Sequence, residues 1–357
     1  MRYFKWFLLA LSALGLLYLL AAPVNITPVV WKPDTAPALS EAPYQPHTDL
    51  AALTTIELDG VGPEDIDFAP DGLLYTGLED GRIMAIDPQT GKSKIVAKTK
   101  GRPLGLRFDA KGQLYIADAY KGLLRLDPSS GQLNLLTNTA DSLPFKFTDD
   151  LDIARDGTVY FSDASYKFAY HDKVAYPLES GLHGRLLSYH PKLGMAKVLL
   201  DELGFANGVT LSPDEDYLLV TETLRYRVRK YWLKGDKKGQ SEIWLDNLPG
   251  FPDGILYDGQ GLYWIALYNP RNAILDRILP SPMLRKVVYR LPTFLQPKVT
   301  NTALAIAVDA QGKVKHTLYD TSGKYGNLTN IVRRGDTLYF GSLHERSIGV
   351  LSLSALK

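Results

Sequence analysis

The sequence predicts an all-β fold, a six-bladed β-propeller that follows an N-terminal transmembrane helix. The first observation behind this prediction is a repeated spacing. In four segments of the chain, the same pattern places one residue eleven positions before an aromatic or apolar residue of a predicted strand. The repeated pairs are Glu64 and Tyr75, Leu104 and Tyr115, Asp149 and Tyr160, and Asn207 and Leu218. Asp253 and Tyr263 repeat the pattern with ten residues. Each interval is typical of a strand, a tight turn and the start of a second strand.

The second observation is the run of strand-like segments after each of these positions. Four such segments follow one another in about 40 to 45 residues, which is the period of a propeller blade. Six blades are therefore predicted, and they begin near Glu64, Leu104, Asp149, Asn207, Asp253 and Thr329. The segment at residues 54–58 would supply the strand that closes the last blade.

Two blades carry extra sequence, at residues 166–183 in the third and 269–298 in the fifth. Within the second insertion, residues 274–295 show an amphipathic helical pattern that Pro280 and Pro282 interrupt. This segment has three possible roles at this point: an apolar lid over a substrate pocket, a surface that rests on anionic lipid headgroups, or a helix packed on the propeller rim.

Composition agrees with one large β domain and restricts the classes of partner. The chain has 357 residues, of which 45% are hydrophobic and 22% charged, enough to bury a substantial core. A net charge of +1 and the lack of a basic-aromatic reader motif give no reason to expect nucleic acid as a partner. Cysteine is absent, which excludes disulfides and thiolate metal sites.

The third observation is an uncharged apolar run at residues 6–22, preceded by Arg2 and Lys5. The run is close to the length that spans a bilayer. Positive charge before it favours a cytoplasmic N-terminus and a propeller on the periplasmic, lumenal or extracellular side. A cleaved signal peptide is the competing interpretation, but Pro23 would then begin the mature chain, so an uncleaved single-pass anchor is predicted.

The predicted organisation has three parts. Residues 1–27 form the membrane anchor or signal peptide, residues 28–48 a Pro-rich extended spacer, and residues 49–357 the propeller.

The repeat positions also predict a metal site. The first strand of every blade lines the central channel, so equivalent residues at its end should form a ring. Four of these residues carry oxygen ligands: Glu64, Asp149, Asn207 and Asp253. Carboxylates with an amide oxygen suit one Ca²⁺ ion, whereas Leu104 cannot bind metal. Taken singly, each of these residues is more typical of a turn than of a metal site, because Asp-Gly and Asn-Gly pairs are common in turns, and the shared repeat position favours the metal.

Several motifs resemble the strictosidine synthase-like family. The matching segments are Phe205-Ala206-Asn207-Gly208-Val209-Thr210-Leu211-Ser212-Pro213-Asp214, Val220-Thr221-Glu222-Thr223, Leu248-Pro249-Gly250-Phe251-Pro252-Asp253-Gly254 and Leu338-Tyr339-Phe340-Gly341-Ser342. The likeness is closest to its adipocyte plasma membrane-associated protein branch, which an N-terminal helix anchors. Gluconolactonase, regucalcin and the paraoxonases belong to the same wider group of six-bladed, often calcium-dependent hydrolases.

The resemblance implies a membrane-anchored, calcium-dependent hydrolase of esters or lactones, in which the metal polarises the carbonyl. An apolar lid at residues 274–295 would favour hydrophobic substrates. The resemblance supports Glu64, Asn207 and Asp253 as ligands, while Asp149 stands where relatives usually have asparagine. Paraoxonases carry a histidine after the inner strand of the second blade, and this chain has none there. Asp118, or a ring carboxylate such as Asp149, could substitute as the general base, although a structural role for such an aspartate is equally open, and His183 is a second candidate.

Two further implications concern the reaction. True strictosidine synthases use a glutamate at the start of the last blade, and Thr329 stands at that position, which argues against a Pictet–Spengler condensation. The alternative to an enzyme is a non-catalytic, calcium-stabilised propeller whose face binds a small ligand or a protein, because one scaffold serves both classes of function.

Overall fold

The computed structural model describes residues 2–46, 50–296 and 299–356. Its chain divides into two compact units. The propeller unit contains Thr35–Tyr170, Leu182–Arg271 and Thr300–Lys357, and the helical unit contains Met1–Asp34, His171–Gly181 and Asn272–Val299. The predicted boundary between the spacer and the propeller, at residues 48 and 49, lies outside the described residues, as does residue 298 at the end of the second predicted insertion.

Six sheets make up the propeller unit, as the sequence predicts. One strand from near the start of the chain precedes the first blade: β1 (Thr54–Glu57). The strands of the first blade are β2 (Ile66–Phe68), β3 (Leu74–Gly77), β4 (Arg82–Ile86) and β5 (Ser93–Lys98). Those of the second are β6 (Pro103–Phe108), β7 (Leu114–Asp118), β8 (Gly122–Asp127) and β9 (Gln132–Thr137).

The third blade has six strands instead of four, because a short hairpin joins its outer edge. These strands are β10 (Thr139–Ala140), β11 (Leu143–Pro144), β12 (Thr148–Ile153), β13 (Val159–Asp163), β14 (Gly184–His190) and β15 (Met195–Leu203). The fourth blade returns to four strands: β16 (Ala206–Leu211), β17 (Tyr217–Glu222), β18 (Arg227–Trp232) and β19 (Ser241–Leu245). The β10–β11 hairpin has no counterpart in the repeat pattern.

The last two blades complete the circle. The fifth contains β20 (Gly250–Tyr257), β21 (Leu262–Pro270), β22 (Ala303–Asp309) and β23 (Val314–Asp320). The sixth contains β24 (Leu328–Arg334), β25 (Thr337–Ser342) and β26 (Ser347–Ser352), and β1 pairs with β26 in the register of Thr54 to Val350 and Glu57 to Ser347. The predicted closure by the N-terminal strand is therefore confirmed.

Packing between blades provides the core. Strands of the blades are buried on both faces near the axis, and apolar clusters lie where neighbouring blades meet. Between the first two blades, for example, Ile83 and Leu106 are fully buried in one cluster with Ile116. The first strands of all six blades contact one another in cyclic order, so their N-terminal ends converge.

The helical unit contains the long N-terminal helix and the helical parts of both insertions. Its elements are α1 (Arg2–Ala21), α2 (Ala175–Glu179), α3 (Ala273–Ile278), α4 (Pro282–Arg290) and η3, a 3-10 turn (Thr293–Leu295). Asn272 caps α3 by accepting from the N–H groups of Ile274 and Leu275, and Ser281 caps α4. Among the described residues, α1 is the one helix long and apolar enough to cross a membrane, and none of its residues is buried.

Candidate metal centre

An irregularity in strand pairing recurs at the same place in five blades. The register between the first and second strands shifts at Leu104-Gly105, Asp149-Asp150, Asn207-Gly208, Asp253-Gly254 and Thr329-Asn330. In the first blade, Glu64 and Asp65 precede β2 directly. Such bulges redirect a side chain away from the regular alternation of a strand. We refer to the first residue of each pair, with Glu64, as the ring positions.

The ring positions that carry oxygen ligands meet at one small cavity. Glu64, Asp149, Asn207 and Asp253 all line it, and each is no more than 7% exposed. The cavity has a volume of about 10 Å³, which is about the space that one water-sized group occupies. The structure therefore brings together all four side chains that the sequence singles out as ligands, around a space of ionic size.

Five carboxyl groups line the cavity, and burial and neighbouring negative charge destabilise the charge of those at the ring positions, Glu64, Asp149 and Asp253. Burial and the neighbouring Asp253 raise the pKa of Glu64. Burial, Glu64 and Asp253 raise the pKa of Asp149 in the same way. Burial also raises the pKa of Asp253, although a hydrogen bond with Asn207 opposes that shift. Uncompensated negative charge in a buried site is costly, so this arrangement favours a bound cation.

Two observations test whether a divalent cation fits. Asp149 Oδ2 is buried and has no hydrogen-bond partner, so it remains available as a ligand. The donors are carboxylate and amide oxygens, the ligand type that Ca²⁺ prefers. Among residues 2–46, 50–296 and 299–356, however, no three His, Cys, Asp or Glu side chains are already arranged as a metal-binding group. The donor set suits the ion, and its side chains would have to adjust to coordinate it.

The residues after the ring positions join neighbouring blades. Asp65 accepts hydrogen bonds from the N–H groups of Ile66 (2.7 Å) and Leu106 (2.6 Å), the latter in the next blade. Asp150 repeats this arrangement with Leu151 (2.7 Å) and Val209 (2.8 Å). These two aspartates also line the cavity, and they hold the first strands together there.

Glycine at some of these second positions allows the strands to approach closely. A Cβ atom on Gly208 would lie 2.5 Å from the Asp253 carbonyl oxygen and 2.5 Å from the Ile255 nitrogen. Distances this short exclude a side chain without movement of the backbone. Asn207 and Asp253 face the same cavity because Gly208 permits this contact between their blades.

A buried ion cluster lies further along the same first strands. Arg107 is 8% exposed and lies 3.8 Å from an oxygen of Asp67 and 3.9 Å from an oxygen of Asp152. Asp67 also accepts from the N–H group of Phe108 at 2.7 Å. Asp67 thus joins the first blade to the second. The Arg107 charge offsets part of the negative charge that the first strands accumulate.

The two candidate bases outside the ring lie away from the cavity lining. Asp118 is fully buried, and its Oδ1 accepts from the N–H groups of Arg102 (3.1 Å), Tyr120 (3.0 Å) and Lys121 (3.0 Å). His183 is half-buried, with its Nδ1 3.3 Å from the Tyr166 hydroxyl. Asp118 organises the turn after β7, and His183 belongs to an aromatic group with Tyr166 and Phe168.

Three residues near the cavity were missed in the sequence. Arg102 is 1% exposed, and its charge lowers the pKa of both Glu64 and Asp149, against the larger effects that raise them. The Tyr268 hydroxyl lies 2.9 Å from Nε2 of His344. Tyr268 follows Leu267, which pairs with Pro252 directly before Asp253, and burial, followed by the charge of Asp253, raises the pKa of Tyr268.

A repeat signal for two of these residues is present in the sequence. Tyr268 stands five residues after Tyr263, and His344 stands five residues after Tyr339. Tyr120 stands in the same relation to Tyr115. Comparing the blades with one another beyond the end of the second strand would have identified the position that Tyr120, Tyr268 and His344 share. The sequence contains no such signal for Arg102, because only the fold brings this residue close to Glu64, which is distant from it in the chain.

Comparison with known proteins identifies a family along most of the chain. A strictosidine synthase family model matches residues 149–236, and a model of the N-terminal part of strictosidine synthase-like proteins matches residues 42–86. Strictosidine synthase-like 6 of Arabidopsis thaliana is 35% identical over 366 residues, which cover 97% of each protein. The adipocyte plasma membrane-associated protein of Rattus norvegicus is 33% identical over 373 residues, 98% of each protein.

Solved structures share the fold at low sequence identity. A gluconolactonase from Xanthomonas campestris has a TM-score of 0.62 and 18% identity, covering 92% of this chain and 98% of its own. Regucalcin from Agrobacterium tumefaciens, described as a calcium-binding protein, has a TM-score of 0.60 and 15% identity, covering 85% and 94%. These structures support the propeller, and the full-length sequence relatives show that the chain belongs to the strictosidine synthase-like family.

Proposed function

We propose that the chain is a calcium-dependent hydrolase of esters or lactones that α1 attaches to a membrane. One observation carries the proposal. Three buried carboxyl groups and one amide, at equivalent positions of four blades, line a single cavity of about 10 Å³. The similarity to a gluconolactonase and to a calcium-binding regucalcin supports the same assignment.

The protein's own side chains determine what such a site does. Glu64, Asp149, Asn207 and Asp253 hold the cation, and Arg102 moderates their repulsion. When bound, a divalent cation supplies the positive charge that stabilises an oxyanion developing on a carbonyl oxygen. The uncharged ring positions, Leu104 and Thr329, supply no carboxylate or amide oxygen, so water and substrate would complete the coordination of the cation.

A base must activate the attacking water, and the chain offers several candidates. Asp118 and His183 remain those proposed from the sequence outside the ring. The Tyr268–His344 pair is a third candidate, supported by its 2.9 Å hydrogen bond and by the electrostatic coupling of Tyr268 to Asp253. Imidazole titrates near neutral pH, which suits His344 to accept a proton from water.

Attachment to the membrane is supported by α1 and by the name of the adipocyte plasma membrane-associated relative. The propeller lies on the non-cytoplasmic side in this proposal. Mass spectrometry of the membrane fraction should find the intact N-terminus. A mature chain that begins near Pro23 would indicate a cleaved signal peptide, and protease protection in intact cells determines the side.

The catalytic proposal is tested by assaying the purified full-length chain against aryl esters and lactones, with calcium and with a chelator. Chelation should abolish hydrolysis, and Asp253→Ala should do the same. Asp71→Asn, in an exposed turn of the first blade, serves as the control and should retain activity. Calcium binding without hydrolysis of either substrate class would replace the enzyme with a calcium-stabilised binding propeller.

A further inference from the structure

We propose that the segment from α4 to η3 (residues 282–295, the α4–η3 segment) enters the bilayer surface beside α1 and forms a second membrane contact. This inference rests on the proposed insertion of α1. Its occupant is lipid, because the segment is tied to the one helix in the described part of the chain that is long and apolar enough to span a membrane.

The first observation is that α4 ends on the C-terminal end of α1. Arg290 Nε donates to the carbonyl of Ala22 at 2.7 Å, and its Nη1 donates to the carbonyl of Leu19 at 2.8 Å. The last carbonyls of a helix have no partner within the helix, and a cation there also complements the helix dipole. Arg290 therefore fixes α4 at the point where α1 would leave the bilayer.

A second observation sets the depth of the segment. An open cavity of about 760 Å³ is lined on one side by Gly15, Tyr18 and Leu19 of α1, and on the other by Thr293 and Leu295 of η3. Gly15 lies six residues before the end of α1, which corresponds to about 9 Å along the helix axis. If α1 spans the membrane, η3 lies at the depth of the same turns, and acyl chains would fill the space between them.

The third observation is that α4 has its polarity inverted. Arg285 is fully buried, and its guanidinium donates to the carbonyls of Leu178 (3.2 Å) and Glu179 (3.0 Å) and to that of Val29. Met283 and Leu284, its neighbours, are 59% and 50% exposed. A helix on a water-facing surface places its apolar side chains inside and its charges outside. The opposite arrangement suits a helix whose outer face meets lipid.

The exposed apolar residues continue into η3. Phe294 is 71% exposed and Leu295 is 57% exposed, on the turn that faces α1 across the cavity. Apolar side chains that are exposed together mark a binding surface, and aromatic rings favour the interface between headgroups and acyl chains. Burial in a bilayer would remove this surface from water.

The absence of cysteine allows a direct test, since one introduced cysteine is the only thiol in the chain. Phe294→Cys, Leu11→Cys in α1 and Leu193→Cys in a propeller turn are each labelled with an environment-sensitive fluorophore. Leu193 is 70% exposed and thus matches Phe294 as a control. The full-length proteins are reconstituted in phosphatidylcholine–phosphatidylserine vesicles, and quenching by spin-labelled lipid is compared with quenching by aqueous iodide.

We expect the probe at residue 294 to behave like that at residue 11, with severalfold stronger quenching by spin-labelled lipid than the probe at residue 193 and weaker quenching by iodide. Lipid quenching at residue 11 together with iodide quenching at residue 294 would overturn the second contact but leave the anchor intact. Iodide quenching at both would overturn the anchor and the inference together. Hydrolysis is not measured here, so failure of the catalytic proposal is a separate result.

Discussion

Asn330 Nδ2 donates a hydrogen bond to Asp65 Oδ1, which joins the sixth blade to the first at the cavity that the ring positions line. Asn330 also accepts from the N–H group of Ile331 at 2.6 Å, so its amide is fixed on both sides. Asp65 in turn bridges to Leu106 of the second blade. The bond between Asn330 and Asp65 and that from the Thr329 hydroxyl to the Glu64 carbonyl (2.6 Å) connect the two blades that begin and end the propeller.

Replacing Asn330 with alanine should therefore weaken the closure of the propeller. The change leaves Asp65, which is 3% exposed, without one of its donors. Loss of a buried partner costs about 1–3 kcal/mol in the free energy of unfolding. Denaturant unfolding measures this cost, and Asn138→Ala, at an exposed position, is the control expected to change stability little. Equal stability of both variants would contradict the role of Asn330.

Asp149→Leu, which leaves no oxygen ligand at this position, should have opposite effects with and without calcium. In chelator, the leucine removes one of the mutually repelling buried carboxyl groups, so the melting temperature should stay the same or rise. In calcium, the wild-type chain gains stability by mass action, about 2.7 kcal/mol at a hundredfold excess over Kd, and the variant should lose this gain. Thermal unfolding in both conditions, with Asp71→Asn as the control, decides the point. An unchanged calcium response would remove Asp149 from the ligand set.

Gly208→Ala should disturb the cavity without altering any ligand. The new methyl group would meet the backbone at Asp253 and Ile255, and overpacking of this kind costs about 1–3 kcal/mol. Because the two blades must separate, calcium affinity measured by calorimetry should also fall. Gly259 has a positive φ of 75° and open space where a Cβ atom would lie. Gly259→Ala therefore tests backbone strain without a clash, and it should leave calcium affinity unchanged.

Glu222 should contribute a pH-dependent share of stability. Burial acts to raise its pKa, but hydrogen bonds from Arg227 (2.6 and 3.0 Å) and the N–H of Gly204 (2.8 Å), with the charge of Arg229, outweigh burial and lower the pKa below its ordinary 4.5. A lowered folded-state pKa stabilises the protein above the unfolded-state value, and this stabilisation is lost as the pH falls through the folded-state value.

Glu222→Gln should accordingly destabilise the chain by about 3 kcal/mol at pH 7, because two arginines lose their buried partner. The difference from wild type should narrow below about pH 4.5, where the unfolded-state carboxylate takes up its proton. Unfolding midpoints from pH 3 to 8 measure this. Glu242→Gln, which breaks the surface pair with Lys237, is the matched control and should have little effect. If the difference in stability between Glu222→Gln and wild type did not depend on pH, the ionised Glu222 carboxylate would not be the source of this stabilisation.

Four single variants distinguish the candidate bases. His344→Ala should reduce turnover about 10²-fold or more while leaving calcium affinity nearly intact, as expected for loss of a proton acceptor. Tyr268→Phe should shift the pH profile of turnover if the hydroxyl positions His344. Asp118→Asn and His183→Ala are made in parallel. A turnover loss confined to either of these two would transfer the role to that residue.

The repeat pattern was sufficient to predict the six blades, their starting points and the closing strand, because each blade buries the same apolar alternation. It also predicted which side chains share the cavity, since equivalent positions must meet at the axis. The β10–β11 hairpin escaped prediction because two-residue strands leave no periodic signal. Arg102 was missed for a different reason: a cation placed beside acids by tertiary structure has no local sequence pattern.

Pairing between Thr54 and Val350 determines when the propeller can close during synthesis of the chain. The closing strand leaves the ribosome early, whereas its partner β26 is made only at the end of the chain. Until then the β1 segment has no neighbour within its sheet, and the sixth blade cannot be completed. Contacts this far apart in sequence slow folding and prolong the time during which strand edges are open to aggregation. Removal of even the last ten residues would therefore leave β1, the first strand of the propeller in sequence, without its partner.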